Sequence, residues 1–343
     1  MLSYMKKNIL LVLLLFLLIN AKAQDPMFSQ YYASPLYLNP GLAGSVKQPR
    51  LIFNSRMQWA KLPNAFTTYA ASADYLVEDW SSAFGVLAMT DKAGSANLRN
   101  TSIGATYAAK IRIAKGWVFS PGVTFGYASR SLDFDKLIFG DMIIHNGPTT
   151  DDAIGHLGNQ SYFDFSSGAV IYNKTFWAGF SGYHINEPNY SLLGEDAILP
   201  MRLSVHGGMR IPIKHSMLSS SKLSSIAPSF VYKSQGDFNQ LDVGTNIIFD
   251  PVMVGLWYRG IPTSKNVNKQ ASQDAIIFIL GLNLQFIEVG YSFDFTISDI
   301  GPQSGGSHEI SMTLLLPEIN SSRVKRKDKI LPCPNYNGFQ WKN

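Results

Sequence analysis

Gln285–Ile297 reads Gln-Phe-Ile-Glu-Val-Gly-Tyr-Ser-Phe-Asp-Phe-Thr-Ile; Ile287, Val289, Tyr291, Phe293 and Phe295 alternate with Glu288, Gly290, Ser292 and Asp294. Successive side chains of a strand point to opposite faces, so this is a ribbon with one greasy side and one polar or tiny side. The same pattern recurs in Thr101–Ile113. It recurs again where Leu203, Val205, Met209, Ile211 and Ile213 oppose Arg202, Ser204, His206 and Arg210, and in His308–Leu316. Fourteen such segments follow one another, near 50–59, 67–76, 82–90, 99–113, 117–132, 161–173, 175–185, 201–213, 224–235, 239–249, 252–259, 273–282, 285–297 and 307–316. Beyond Arg50 no segment keeps a helical period.

Many segments reach the roughly 9–11 residues a tilted strand needs to cross a bilayer, more than the 5–6 usual in globular sheets. Outer-membrane barrels join their strands by short turns on the periplasmic side and longer loops outside. The connections Val77–Ser81, Ala114–Gly116, Lys174 and Asp250–Pro251 fall where short ones belong. Asp133–Gln160, Asn186–Pro200, Gly260–Ser272 and Ser298–Gly306 fall where long ones belong. Lys214–Leu223 and Gly236–Phe238 break the rule. Trp59, Tyr69, Trp80, Trp117, Trp177, Trp257 and Tyr258 lie near strand ends, as the aromatic belts of a membrane wall would. The expectation is an all-β chain, a closed transmembrane antiparallel β-barrel of about 14 strands in a bacterial outer membrane, because lipid can satisfy no open sheet edge.

The termini divide the rest. Lys6 and Lys7, the apolar run Ile9–Ile19 and Ala21-Lys22-Ala23 form a secretory signal peptide over 1–23. Its removal leaves 320 of the 343 residues and, with three lysines and no acid gone, lowers the formal net charge from +5 to +2. A nucleic-acid partner thereby loses its electrostatic basis. Residues 24–49 hold four prolines, which deny the segment a regular strand or helix. They also hold Phe28, Tyr31, Tyr32 and Tyr37, too apolar for a free tail. This lead-in is expected to pack in the lumen or at the periplasmic mouth, either as bare packing or as an interaction segment. The wall spans 50–316, and 317–343 is a basic tail whose Arg323, Lys325, Arg326 and Lys327 suit an acidic partner or simply water. An even strand count puts both termini in the periplasm.

Charge on the polar faces is the other candidate feature. An Arg or Lys facing lipid at the midplane costs roughly 2–4 kcal/mol, so Lys110, Arg112, Arg202, Arg210, Glu288 and Asp294 should face the lumen, in structural pairs before solute selectivity. Charged residues make up only 15% of the chain and cysteine occurs once, at 333. That excludes a disulfide scaffold or a multi-cysteine metal site. Cys333 is open to pairing between chains, although a buried or free thiol is the plainer reading. No H-E-x-x-H, G-x-S-x-G or phosphate loop occurs, and the six histidines lack ligand spacing. Asp151-Asp152 and Glu195-Asp196 read as solvated loop charge. No enzyme, metal or cofactor is expected.

Two stretches carry a resemblance. Gln24-Asp25-Pro26-Met27-Phe28-Ser29-Gln30-Tyr31, continuing through Pro35-Leu36-Tyr37-Leu38-Asn39-Pro40-Gly41-Leu42-Ala43-Gly44, resembles the mature start of the PorP/SprF family. So does the end, Gly290–Ser298 and Gly305–Ser311. The resemblance implies a non-enzymatic outer-membrane barrel of the type IX secretion and gliding-motility machinery. Its partners would be outer-membrane lipid, a secreted surface protein bearing a type IX C-terminal domain, and periplasmic or outer-membrane secretion components. Its role would be to assist export or surface anchoring of large adhesins, with the loops Asp133–Gln160 and Asn186–Pro200 as the dock. A passive porin-like channel is the alternative, decided by whether the lead-in fills the lumen. A soluble secreted adhesin is a third.

Overall fold

A computed structural model describes residues 24–317 and Cys333, apart from residues 95–96, 134–136, 138–141, 143–144, 146, 148–157, 193–195, 214–223, 266–270 and 285. The wall begins with β1 (Arg50–Gln58), β2 (Phe66–Val77), β3 (Ser82–Ala93) and β4 (Leu98–Ala109, resuming as Ile111–Ala114). Next come β5 (Trp117–Ser131), β6 (Gln160–Tyr172), β7 (Phe176–Tyr183) and β8 (Arg202–Met209, resuming as Ile211–Ile213). It ends with β9 (Ser224–Gln235), β10 (Phe238–Phe249), β11 (Val252–Lys265), β12 (Ala271–Asn283), β13 (Ile287–Thr296) and β14 (Ser307–Leu315). Each strand pairs antiparallel with its sequence neighbours, and β14 returns to β1 in the register Arg50↔Leu315 to Gln58↔Ser307. The sheet is a closed 14-strand ring, so each strand has a neighbour on both sides.

The faces are inverted relative to a water-soluble sheet. Phe163 is 67% exposed on the outer side, and Phe125, Phe180, Leu256, Phe278 and Ile310 are exposed with it. Phe125 meets Phe165 edge-on at 5.3 Å, and Tyr127 meets Phe163 at 5.6 Å, as directly opposed partners on β5 and β6. Such rings lie comfortably in hydrocarbon. The polar residues of the alternation (Ser72, Thr106, Ser120, Ser181, Ser292, Glu309) point inward and are buried.

Three expectations change in detail. Strands β11 and β12 run on through register shifts at Gly260 and beyond Ile261, which shortens the long connection expected over Gly260–Ser272 to 266–270. Trp177 and Trp257 belong to no membrane belt: both are buried on the inner face, where Trp257 Nε1 donates to Asn246 Oδ1 at 3.0 Å. Trp80, 71% exposed between β2 and β3, does project from the wall. The proline-rich lead-in does turn helically, in single turns only: Tyr31–Ala33, Pro35–Leu38 and Pro40–Leu42. Pro35 and Pro40 open the last two, where the missing N–H is no loss.

The lead-in is the core of the barrel. Phe28, Tyr31, Leu36, Leu38, Leu42 and Val46 are buried against inward residues including Leu76, Val118, Val170 and Ile277. Burying a side chain of the size of Leu36 or Leu42 contributes about 1.5–3 kcal/mol. The segment reaches from mouth to mouth. Asp25 lies among Arg202, His184 and Gln235, beside the long connections, while at the other end the Pro49 carbonyl accepts from Leu316 N–H at 2.9 Å. Wall glycines make room for it. A Cβ on Gly122 would stand 2.6 Å from the Pro40 carbonyl carbon, so only hydrogen fits there.

Candidate functional site

The lead-in is fixed to the wall by buried polar groups in four places. Around Ser29 and Gln30, the Glu309 carboxylate accepts from both backbone N–H groups at 2.7 and 3.0 Å, and Gln30 Nε2 donates to the Glu309 carbonyl at 3.0 Å. Arg56 reaches Asp294 at 2.7 Å and Glu309 at 3.2 Å. Arg259 reaches Asp242 at 2.9 Å and Asp294 at 3.0 Å, and both guanidiniums donate to Ser29 Oγ, at 2.9 and 3.0 Å. Low-dielectric burial strengthens these pairs and makes any unpartnered member costly.

At the loop-side mouth, Asp25 Oδ2 accepts from Arg202 and His184, each at 2.8 Å, and His184 Nδ1 meets Asp164 at 2.9 Å. Burial pushes the Asp25 carboxyl up, but His184 and Arg202 overcome it and hold the group well below the usual carboxylate range. Burial pulls the His184 imidazole down, yet Asp25 and Asp164 raise it to about 9. The Arg202 guanidinium also lies over the rings of Tyr37 and Tyr183, 4.2 and 4.3 Å from their centres.

Midway, Asn39 caps its own turn by accepting from Gly41 N–H at 2.8 Å and donates Nδ2 to the wall carbonyls of Ala169 and Phe180 at 3.1 and 2.8 Å. Toward the short-turn mouth, Lys110 Nζ donates to the Gly41 carbonyl at 3.1 Å and to Ser120 Oγ at 2.9 Å. There Arg50 grips Asp74 at 2.8 Å, and Asp74 accepts from Gly44 N–H at 2.7 Å.

Of the six charges expected to face the lumen, Lys110, Arg202, Arg210 and Asp294 are buried inside. Arg210 Nε donates to Ser225 Oγ at 3.0 Å. Glu288 is half-buried and accepts from Asn283 Nδ2 at 3.2 Å. Arg112 shares the inward register, opposite Val118, but is exposed, because its strand has already passed Lys110 and the packed lumen. Phe28, Tyr31 and Tyr37 pack inside the barrel and Tyr32 is half-buried, its hydroxyl donating to Gln30 Oε1 at 3.0 Å. These rings anchor the lead-in inside the barrel. Arg323, Lys325, Arg326 and Lys327 lie outside the described residues, as do Asp151, Asp152 and Glu195. Cys333 is buried, and its N–H donates to the Ser45 carbonyl at 2.9 Å. Strand parity alone marks Arg56, Arg259 and Glu309 as inward charges. Their convergence on Ser29 has no local signal.

Two larger cavities flank Gln24–Met27 at the loop-side mouth. One, of about 580 Å3, has Arg56, Arg259 and Asp294 in its lining; the other, of about 410 Å3, has Asp91, Arg130 and Tyr162. Among the described residues no group of acids, histidines or cysteines could hold a metal, and no helix is long and apolar enough to cross a membrane.

Residues 20–314 match the family described as type IX secretion system membrane protein PorP/SprF, whose members are non-enzymatic. Similar solved structures include the outer-membrane protein Omp33 of Acinetobacter baumannii, at 8% identity and TM-score 0.42, covering 79% of this chain and 98% of that one. The toluene transporter TodX of P. putida matches at 8% identity and TM-score 0.41, over 81% and 92% of the two chains. A mutant porin of Rh. blastica matches at 6% identity and TM-score 0.32, over 78% and 99%. The comparison with curated proteins returned no match.

Proposed function

The chain belongs to the PorP/SprF family of type IX secretion system membrane proteins, and from that premise we propose that it is a plugged anchor rather than a conduit. In this reading the outer-membrane barrel holds its place in the lipid and assists export or surface attachment of large adhesin-type proteins through their C-terminal domains. The wall's own ends, Arg50 and Leu315, face the periplasm, where secretion components meet it, and the long connections face outward as the dock. The observation that carries the reading is the filled lumen. A lead-in tied by Asp25, Ser29, Asn39 and Gly44 to the inner wall leaves no cargo-sized passage among the described residues, so the protein would act by holding rather than by conducting. The porin-like alternative requires the opposite. Crosslinking in intact cells followed by capture of this chain is expected to recover an adhesin C-terminal domain or other secretion components. Recovery of neither overturns the proposal.

A further inference from the structure

The larger loop-side cavity is short of positive charge. Its lining and the ion network beneath it carry the carboxylates of Asp242, Asp294, Glu309, Asp274 and Asp299 against the guanidiniums of Arg56 and Arg259. Lys233, within electrostatic reach of Asp242, narrows the excess from three to two. The two arginines are already engaged by Asp242, Asp294 and Glu309, whereas Asp274 and Asp299 line the cavity without an ion pair among the described residues. A second observation points the same way. Asp294, only 2% exposed and part of the lining, has an Oδ1 atom with no hydrogen-bond partner among the described residues. Two rings, Trp59 and Phe238, stand in the same lining with the side-chain amides of Gln58, Gln240 and Gln273.

We infer that this vestibule is a binding site for a basic side chain, an arginine in an extended peptide segment of a partner protein. A guanidinium is the cation that carboxylates engage in a fork, that aromatic faces attract and that amide oxygens also accept from. The cavity, at about 580 Å3, has room for one such side chain and adjoining backbone. Its position between the β9–β10 turn and the chain after β13 leaves it open at the mouth that carries the long connections. The inference concerns the cavity's chemistry and goes beyond the secretion reading, which names no recognition site.

The test uses the full-length protein, purified in detergent, and the blocked tripeptide acetyl-Gly-Arg-Gly-amide. Its counterpart carries citrulline, which keeps the shape of arginine and removes the charge. The arginine peptide is expected to perturb tryptophan fluorescence saturably, with a Kd about tenfold or more below that of the citrulline peptide, and to weaken as salt rises. The double variant D274N/D299N, altered at partly exposed positions, is expected to lose about the same factor while keeping its heat-modifiable migration on gels. Equal affinity for the two peptides, or unchanged affinity in the folded double variant, overturns the site. Should that variant not fold, the salt dependence and the citrulline comparison on the unaltered chain decide. Intact arginine binding with no secretion partner captured in cells would strike the function proposed above and leave this site standing.

Discussion

Arg56 and Asp294 meet at 2.7 Å with both side chains almost wholly buried, tying the first strand of the wall to the thirteenth over the single strand between them, where Ser29 also reaches in. Asp294 at once serves Arg259, so one carboxylate neutralises two guanidiniums. Replacing it takes one of two carboxylate partners from each guanidinium at once, leaving Arg56 with Glu309 and Arg259 with Asp242. Asp294→Ala is therefore expected to cost about 3–5 kcal/mol, the range for breaking a buried pair from one side. Asp242→Ala should cost less, because Arg259 keeps Asp294. Urea unfolding of the detergent-folded barrel, followed by loss of heat-modifiable migration, measures both, and equal costs would refute this division of labour.

The wall was legible because lipid outside and packed lead-in inside make the two faces of every strand chemically opposite. β9 agrees with its expected bounds and the other strands to within two residues, β3 and β11 excepted. Trp177 and Trp257 were misread for a definite reason. An aromatic near a strand end says nothing of its face, whereas parity does: Trp257 shares the phase of Arg259, and both point inward. The path of the lead-in had no such guide. A segment broken by prolines has no period, and its partners stand far off in sequence, Asp25 being 177 residues from Arg202 and Ser29 280 from Glu309. Only closure of the ring brings them together.

The clasp at the loop-side mouth titrates. His184, at about 9 in the folded chain against 6.5 in an unfolded one, favours the clasped state fully below about pH 6.5. That contribution fades as pH rises through 9. Asp25, whose carboxyl is depressed, adds stability above its ordinary range near 3.8 that is lost on acidification. Amide exchange over Asp25–Phe28, corrected for the intrinsic rate, should thus be best protected near pH 5–6, lose protection progressively between about pH 7 and 9, and be least protected above that. His184→Ala should abolish the alkaline fall in protection. A pH-independent profile in the unaltered chain would contradict the assignment.

Cys333 lies against the lead-in: its thiol is fully buried and its N–H is held by the Ser45 carbonyl. A thiolate must reach solvent to react. The folded protein should therefore resist a maleimide reagent and label stoichiometrically only after denaturation, and it should run as a monomer without reductant. Rapid labelling in the folded state, or a reducible dimer, would remove Cys333 from the lumen.

The filled lumen makes an electrical prediction. A 14-strand ring with an empty interior would pass small ions, but here Leu36, Tyr37, Asn39 and Leu42 occupy the space, and the two cavities of about 580 and 410 Å3 lie at one mouth. The full-length protein in a planar bilayer should show no steady open state. Gly122 is the lever. A leucine there must displace the backbone at Pro40 and Gly41, since even its Cβ would stand 2.6 Å from the Pro40 carbonyl carbon and 2.7 Å from Gly41 N. The wall around it keeps its outward face and its ladder, so the overpacking, typically about 1–3 kcal/mol, falls on the seat of the lead-in. Gly122→Leu should fold, migrate as a barrel and conduct in bursts, while a change on the outer face of the same strand, Val123→Leu, should stay silent. Steady conductance by the unaltered chain would mean that the lead-in does not close the barrel, and with that the anchor reading would give way to the channel.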